Sequence, residues 1–227
     1  MNTPQGRMRP AAATVFGLII ALFALPAITT GYRFIWGQSQ TTLTYVLREL
    51  VLFLVLGVLL WIVRRKEGLS FESIGWKGTA YGRSLLWALL VVVLCIAGLA
   101  ACFGVIHLLD LPFGGGDSRG VFAPPLAAML ITVIRAGVVE EVFYRGYAIS
   151  RLKTLTGSTS IAVAVPLVIF AAAHYRQGSG GILIAFVTGA IITAVFMKKR
   201  DLLALIVAHF LIDFVPNIVL PLFSTTG

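Results

Sequence analysis

Hydrophobic and polar positions in this chain fall into long blocks and do not alternate. Apolar runs of about twenty residues are separated by short polar stretches, and a helix of that length crosses the ~30 Å hydrocarbon core of a bilayer. The first run covers residues 11 to about 30, behind a polar start carrying Arg7 and Arg9. Basic start, apolar middle and a small-residue end (Ala24-Leu25-Pro26-Ala27) also fit a secretory signal peptide. Because the later segments are all apolar too, it is read as an uncleaved first span. The second run covers about 43–63, with Arg48 and Glu49 near one end, and the only sizeable polar connection, 64–83, follows. A third span covers 84 to about 109. The Gly-rich connector 112–120 lacks the Lys-Ser/Thr that would make Gly114-Gly115-Gly116 a phosphate loop. The fourth span begins near Val121. Its continuation, 146–153, mixes Tyr147, Ile149 and Leu152 with Arg151 and Lys153, as an amphipathic piece lying along the interface would. Beyond Gly157 come a fifth span (158–175), a Gly/Ser loop (177–181), a sixth span to Met197, the basic turn Lys198-Lys199-Arg200-Asp201 and a seventh span from Leu202 to about Leu222. The pattern predicts an all-α, polytopic transmembrane helix bundle of about seven spans (six to eight). No linker or repeat divides it, so 1–227 is read as a single membrane domain.

Composition agrees. Hydrophobic residues make up 59% of the 227 and charged residues 12%, with a mean hydropathy of +0.97; a soluble domain carries about 25% charge. The net charge of +9 would suggest nucleic acid in a soluble protein, but here the cations sit between apolar runs. Alternate connections hold Arg7 and Arg9; Arg64, Arg65, Lys66, Lys77 and Arg83; Arg151 and Lys153; and Lys198, Lys199 and Arg200. The other connections hold only Arg33, Arg119 and Arg176. Twelve against three places the N-terminus in the cytoplasm by the positive-inside rule and removes nucleic acid as a partner. Brevity and the lack of an organelle-targeting signal point to the plasma membrane of a bacterium, with lipid as the surroundings. Cys95 and Cys102 lie seven apart in one span, separated by ~10 Å of helix rise, too far for a disulfide. They are expected to be buried free thiols.

The candidate chemistry starts at Glu140-Glu141-Val142-Phe143-Tyr144-Arg145, at the end of an apolar run interrupted only by Arg135. An ionised carboxylate in hydrocarbon costs several kcal/mol unless it is paired or faces water, so such residues mark function. Glu141 and Arg145, four apart, stack on one helix face as an ion pair. Glu140 points ~100° away and is expected to be left free. Two of the three histidines follow in apolar spans: His174 after Phe170-Ala171-Ala172-Ala173, and His209 four residues before Asp213. Gly157 lies seventeen residues from both Glu140 and His174, so a hairpin turning there brings them level. Measured from Arg151 and Arg200, Glu140 lies ~17 Å deep, His209 ~14 Å and Asp213 ~20 Å, all near mid-membrane. His107, near the end of its span, is read as an interfacial residue.

Glu140-Glu141-x-x-x-Arg145, Phe170-x-x-x-His174 and His209-x-x-x-Asp213, in that order, resemble the three signature motifs of the CPBP intramembrane proteases. That family includes the type II CAAX prenyl endopeptidases and the Abi-like proteins associated with bacteriocin immunity. The resemblance covers 121–222, read as the catalytic core, and implies an endopeptidase acting on a peptide or membrane-protein substrate. Glu140 would be the general base for water, in an apolar setting that suits the role. His174 would share and orient that water, and His209 with Asp213 would stabilise the oxyanion. Glu141, Arg145 and Phe170 would be supporting, with Arg145 fixing the helix end or meeting a substrate carboxylate. Some members carry Asn where this chain has Asp213, which matters because only a protonated Asp donates a hydrogen bond. No cofactor is favoured, although His174, His209 and Asp213 would be the ligands of a zinc-dependent version. A proton-coupled transporter and a non-catalytic scaffold or bacteriocin-immunity protein are the readings outside this class.

Overall fold

The computed structural model describes residues 10–37, 39–78, 81–114 and 124–224. Arg7, Arg9, Arg119 and residues 115–120 of the Gly-rich connector lie outside the described residues. All regular structure in the described residues is helical. The elements are α1 (Pro10–Trp36), α2 (Thr42–Trp61), α3 (Tyr81–Leu108), α4 (Leu126–Arg135), α5 (Ser150–Thr156), α6 (Thr159–Ala172), α7 (Gly178–Lys199), α8 (Leu202–Phe214) and α9 (Leu220–Ser224). A wider, π-helical stretch, Ala136–Ile149, joins α4 to α5 without a break, and shorter ones extend α2 (Ile62–Lys66) and α8 (Val215–Val219). The chain is a membrane protein: five of its helices, Ala12–Trp36, Thr42–Lys66, Tyr81–Leu108, Tyr175–Lys199 and Leu202–Phe223, are long and apolar enough to cross a bilayer. The long α4–α5 rod and the short α6 bring the helical passes to seven.

Three of the connections rich in Lys and Arg, 64–83, 151–157 and 198–201, meet at one end of the bundle. Lys77 Nζ donates to the Lys199 carbonyl at 2.6 Å, and Arg200 donates to the Ser73 carbonyl at 3.1 Å and to Ser150 Oγ at 2.9 Å. Arg151 pairs with Glu67 at 2.8 Å, and the same carboxylate accepts from Tyr147 and Thr14. Asp201 caps α8 through Ala204 N at 3.1 Å and accepts from Ser84 at the start of α3. Charge patterning along the chain thus becomes a polar layer at this basic end, and every pass begins or ends on it.

Two expectations are corrected. Residues 146–153 do not lie along an interface. They continue the α4–α5 rod, with Gly146 to Arg151 buried, because Glu67 on the α2–α3 connection supplies a partner for Arg151 inside the bundle. The fifth span is also shorter than predicted. α6 has 14 residues, or ~21 Å of rise against a ~30 Å core, and gives way to a single turn at Tyr175–Gln177 before α7 starts. Non-helical backbone at such depth persists only where it is buried in protein or lines a cavity. The turn at Gly157 is as expected, with a left-handed φ of 69°. Cys95 and Cys102 are free and buried.

Candidate active site

Three of these elements converge on a cavity of about 520 Å³. Glu140 reaches it from the π-helical stretch, His174 from the turn after α6, and His209 and Asp213 from α8. The hairpin at Gly157 does bring Glu140 and His174 level, since both line the same space. The other walls are largely apolar, with Leu99 and Phe103 from α3, Ile184 and Ile192 from α7, and Ile212 and Pro216 along α8 and its extension, and Thr132, Arg135, Gln177, Thr188 and Asn217 add further polar groups.

The tautomer of each histidine follows from its partner. His174 Nδ1 stands 2.8 Å from the Phe170 carbonyl oxygen, which can only accept, so Nδ1 carries the proton and Nε2 keeps its lone pair. His209 Nδ1 lies 2.7 Å from Glu141 Oε1 and donates to it, leaving Nε2 3.5 Å from Asp213 Oδ2. Two carboxylates therefore flank one imidazole. Phe170 does more than pack behind His174. Its ring stands 4.9 Å from the His174 ring, 6.5 Å from His209 and 5.4 Å from Tyr144, and the Arg145 guanidinium lies 4.3 Å over it. It acts as the spacer around which the polar groups are placed.

Glu141 and Arg145 form the expected ion pair at 2.9 Å. Arg145 also reaches Thr193 Oγ1 and the Gly189 carbonyl on α7, each at 3.4 Å. It is 1% exposed and does not line the cavity, so it fastens α7 to the rod and has no access to a substrate carboxylate.

Glu140 is not left free. Arg135 donates to its Oε1 at 2.5 Å and, through Nε, to Glu49 Oε2 at 2.7 Å. Glu49, on α2, is fully buried and also pairs with Arg48, whose guanidinium lies 4.4 Å over the Tyr45 ring. Four charges thus run from α2 into the cavity wall with no net charge. Only one carboxylate oxygen of Glu140 is held; Oε2 accepts no hydrogen bond from the described residues. The pairing was missed because residues five apart on an α-helix point ~140° from each other. Here Arg135 ends the α-helical turns, and the next fourteen residues wind with i→i+5 bonds, which bring residues five apart to the same side. A charge-balance argument would have narrowed the partners: Arg135, Arg48 and Glu49 were the charges within the spans without an assigned role, and Glu140 needed a cation.

Among the described residues, no three His, Cys, Asp or Glu side chains are grouped so as to hold a metal ion. Both Nδ1 atoms are already engaged, so the zinc set His174, His209 and Asp213 would have to regroup around one point through the two Nε2 atoms.

Residues 122–215 match the family model described as type II CAAX prenyl endopeptidase Rce1-like. No curated protein and no solved structure matches the chain.

Proposed function

We propose that this chain, whose segment 122–215 matches the Rce1-like type II CAAX prenyl endopeptidase family model, is an intramembrane endopeptidase that hydrolyses a peptide bond of a membrane-associated substrate at this cavity. The observation that carries the reading is the convergence of Glu140, His174, His209 and Asp213, from three separate elements, on one largely apolar space. A water between Glu140 Oε2 and His174 Nε2 would lose its proton to Glu140 as its oxygen attacks the scissile carbonyl. His209, with both ring nitrogens protonated, gives Nδ1–H to Glu141 and keeps Nε2–H for the oxyanion. Asp213 holds the Nε2 side of the ring from the next helical turn. Glu140 then passes its proton to the leaving amine as the C–N bond breaks, which restores the carboxylate for the next cycle. Arg135 keeps that carboxylate in place and balances its charge between turnovers.

Membrane-protein ends, compared by proteomics between cells making the unaltered chain and cells making Glu140→Gln, provide the test. New termini should appear only with the unaltered chain, and the variant should insert and fold. Termini that are the same in both remove the hydrolytic reading. Flux of a small solute into liposomes without new termini would favour a transporter. A phenotype that survives replacement of Glu140, His174 and His209 together would favour a scaffold. Activity that persists through chelation supports the metal-free version, whereas loss on chelation and recovery with zinc would support the metal-dependent one.

A further inference from the structure

We infer that the cavity takes its water and its substrate from the end of the bundle opposite the basic turns, which under the positive-inside rule is the non-cytoplasmic side, and that the segment it accepts is an apolar stretch of an exported or membrane-anchored chain. The choice of substrate rests on the proteolytic reading; the side of access does not.

The same asymmetry appears on four helices. On α3 the lining residues are Leu99 and Phe103, whereas Cys95 and Val91, one and two turns nearer the basic end, are fully buried. On α7 the deepest lining residue is Ile192, and Phe196 below it is fully buried. On α8 His209 lines the cavity, and Leu205 and Ala208 beneath it have no exposure. On the α4–α5 rod the lining ends at Glu140; Phe143 and Tyr147, on the basic side of it, are fully buried. Below these lies the layer where Arg151 and Tyr147 close on Glu67. An apolar plug and then a paired polar layer therefore separate the catalytic groups from the basic end.

The other end is built differently. Phe103, Phe113, Gln177, Pro216 and Asn217 all line the cavity and are exposed. Asn217 lies seventeen residues beyond Arg200, ~26 Å along the helix, close to the far edge of a ~30 Å core. The rim therefore opens near the interface opposite the basic turns. Its aromatic and aliphatic walls suit apolar side chains on either side of the scissile bond, since a charged side chain would lose hydration against them.

Single reporter cysteines test the side of access. The natural thiols, Cys95 and Cys102, are buried and provide the blank. Asn217→Cys reports the rim, and Ser70→Cys, an exposed position on the α2–α3 connection, reports the basic end. A membrane-impermeant maleimide is applied to right-side-out and to inverted vesicles. Asn217→Cys should be labelled in right-side-out vesicles and lose that label in inverted ones, with Ser70→Cys showing the reverse. Labelling of Asn217→Cys only in inverted vesicles, or in neither preparation until detergent is added, overturns the inference. Should Asn217→Cys fail to accumulate, Gln177→Cys reads the same rim from the α6–α7 connection. Labelling needs no catalysis, so a Glu140→Gln result that removes the protease reading leaves this one standing, and the converse holds too.

Discussion

Arg135 is the residue on which the candidate site depends and which the motifs do not contain. It neutralises Glu140 and is itself held by Glu49, so removing either partner leaves a buried charge uncompensated. Breaking a buried pair in this way costs about 3–5 kcal/mol. Arg135→Gln and Glu49→Gln are therefore each expected to lower thermal stability in detergent by that order. Glu140→Gln keeps the shape but also removes one of the two carboxylates around Arg135, so it should insert and fold with a similarly lowered melting temperature while losing at least about 10²-fold in cleavage, as expected for a general base. A Glu49→Gln protein as stable as the unaltered one would show that the network carries no load. At Asp213, Asn can still accept from His209 or donate a hydrogen bond, whereas Ala can do neither. Asp213→Asn should retain cleavage, and Asp213→Ala should lose about 10²–10³-fold if the pair serves the oxyanion; equal rates for the two variants would remove Asp213 from that role. The sequence made Glu140, His174, His209 and Asp213 legible because titratable groups are scarce in apolar runs. Arg135 and Glu49 were equally scarce, but their partnership depends on local winding and on a contact between distant helices, and neither can be read from spacing.

Among the elements, the π-helical stretch and the short α6 do the positioning. Wide winding from Ala136 turns Glu140 towards Arg135, and the early end of α6 lets His174 hang from a turn at mid-depth, where an unbroken helix would have carried the chain past the site. The rod can sit this close to α8 because of Gly137: a Cβ there would stand 3.1 Å from the Ile206 carbonyl oxygen and 3.2 Å from Phe210 N. Both neighbours are backbone, so neither can move aside without shifting α8, and small residues at such crossings are what allow membrane helices to pack. Gly137→Leu should separate α8 from the rod and withdraw His209 from Glu141. Its signature would be lost cleavage together with a lowered melting temperature, and unchanged cleavage would show that the crossing tolerates a side chain. The number of passes and the Gly157 turn were legible from hydrophobic block lengths and a breaker residue. The π winding was not, since that stretch packs against α8, α1 and α6, contacts that local spacing does not encode. The buried course of residues 146–153 depended on Glu67, 84 residues from Arg151, and an amphipathic pattern reads the same whether its polar face meets water or a distant carboxylate.

Across the whole molecule, the matched segment does not complete the candidate site by itself. Residues 122–215 contain all three motifs, yet Arg151 takes its carboxylate from Glu67 at the α2–α3 connection, and Arg135, which pairs with Glu140 inside the segment, takes a second one from Glu49 on α2. Phe103 and Leu99 on α3 close one wall of the cavity. A fragment spanning 81–227 keeps α3 but loses both carboxylates. Arg135 keeps Glu140, but Arg151 is left uncompensated at about 3–5 kcal/mol and the apolar faces that α1 and α2 cover are laid bare, a loss comparable with the ~5–15 kcal/mol that holds a typical domain together. The fragment should therefore aggregate on extraction and cleave nothing. Co-expression with 1–80 restores the two carboxylates without a covalent link, since the contacts that matter are ion pairs and helix packing. Expected outcomes are a monodisperse complex by size exclusion and recovered cleavage, with Glu49→Gln in the short piece weakening the association and Glu67→Gln weakening it independently. An 81–227 fragment that is stable and active alone would mean that the N-terminal helices only accompany the site, and that Glu140 alone is enough for Arg135.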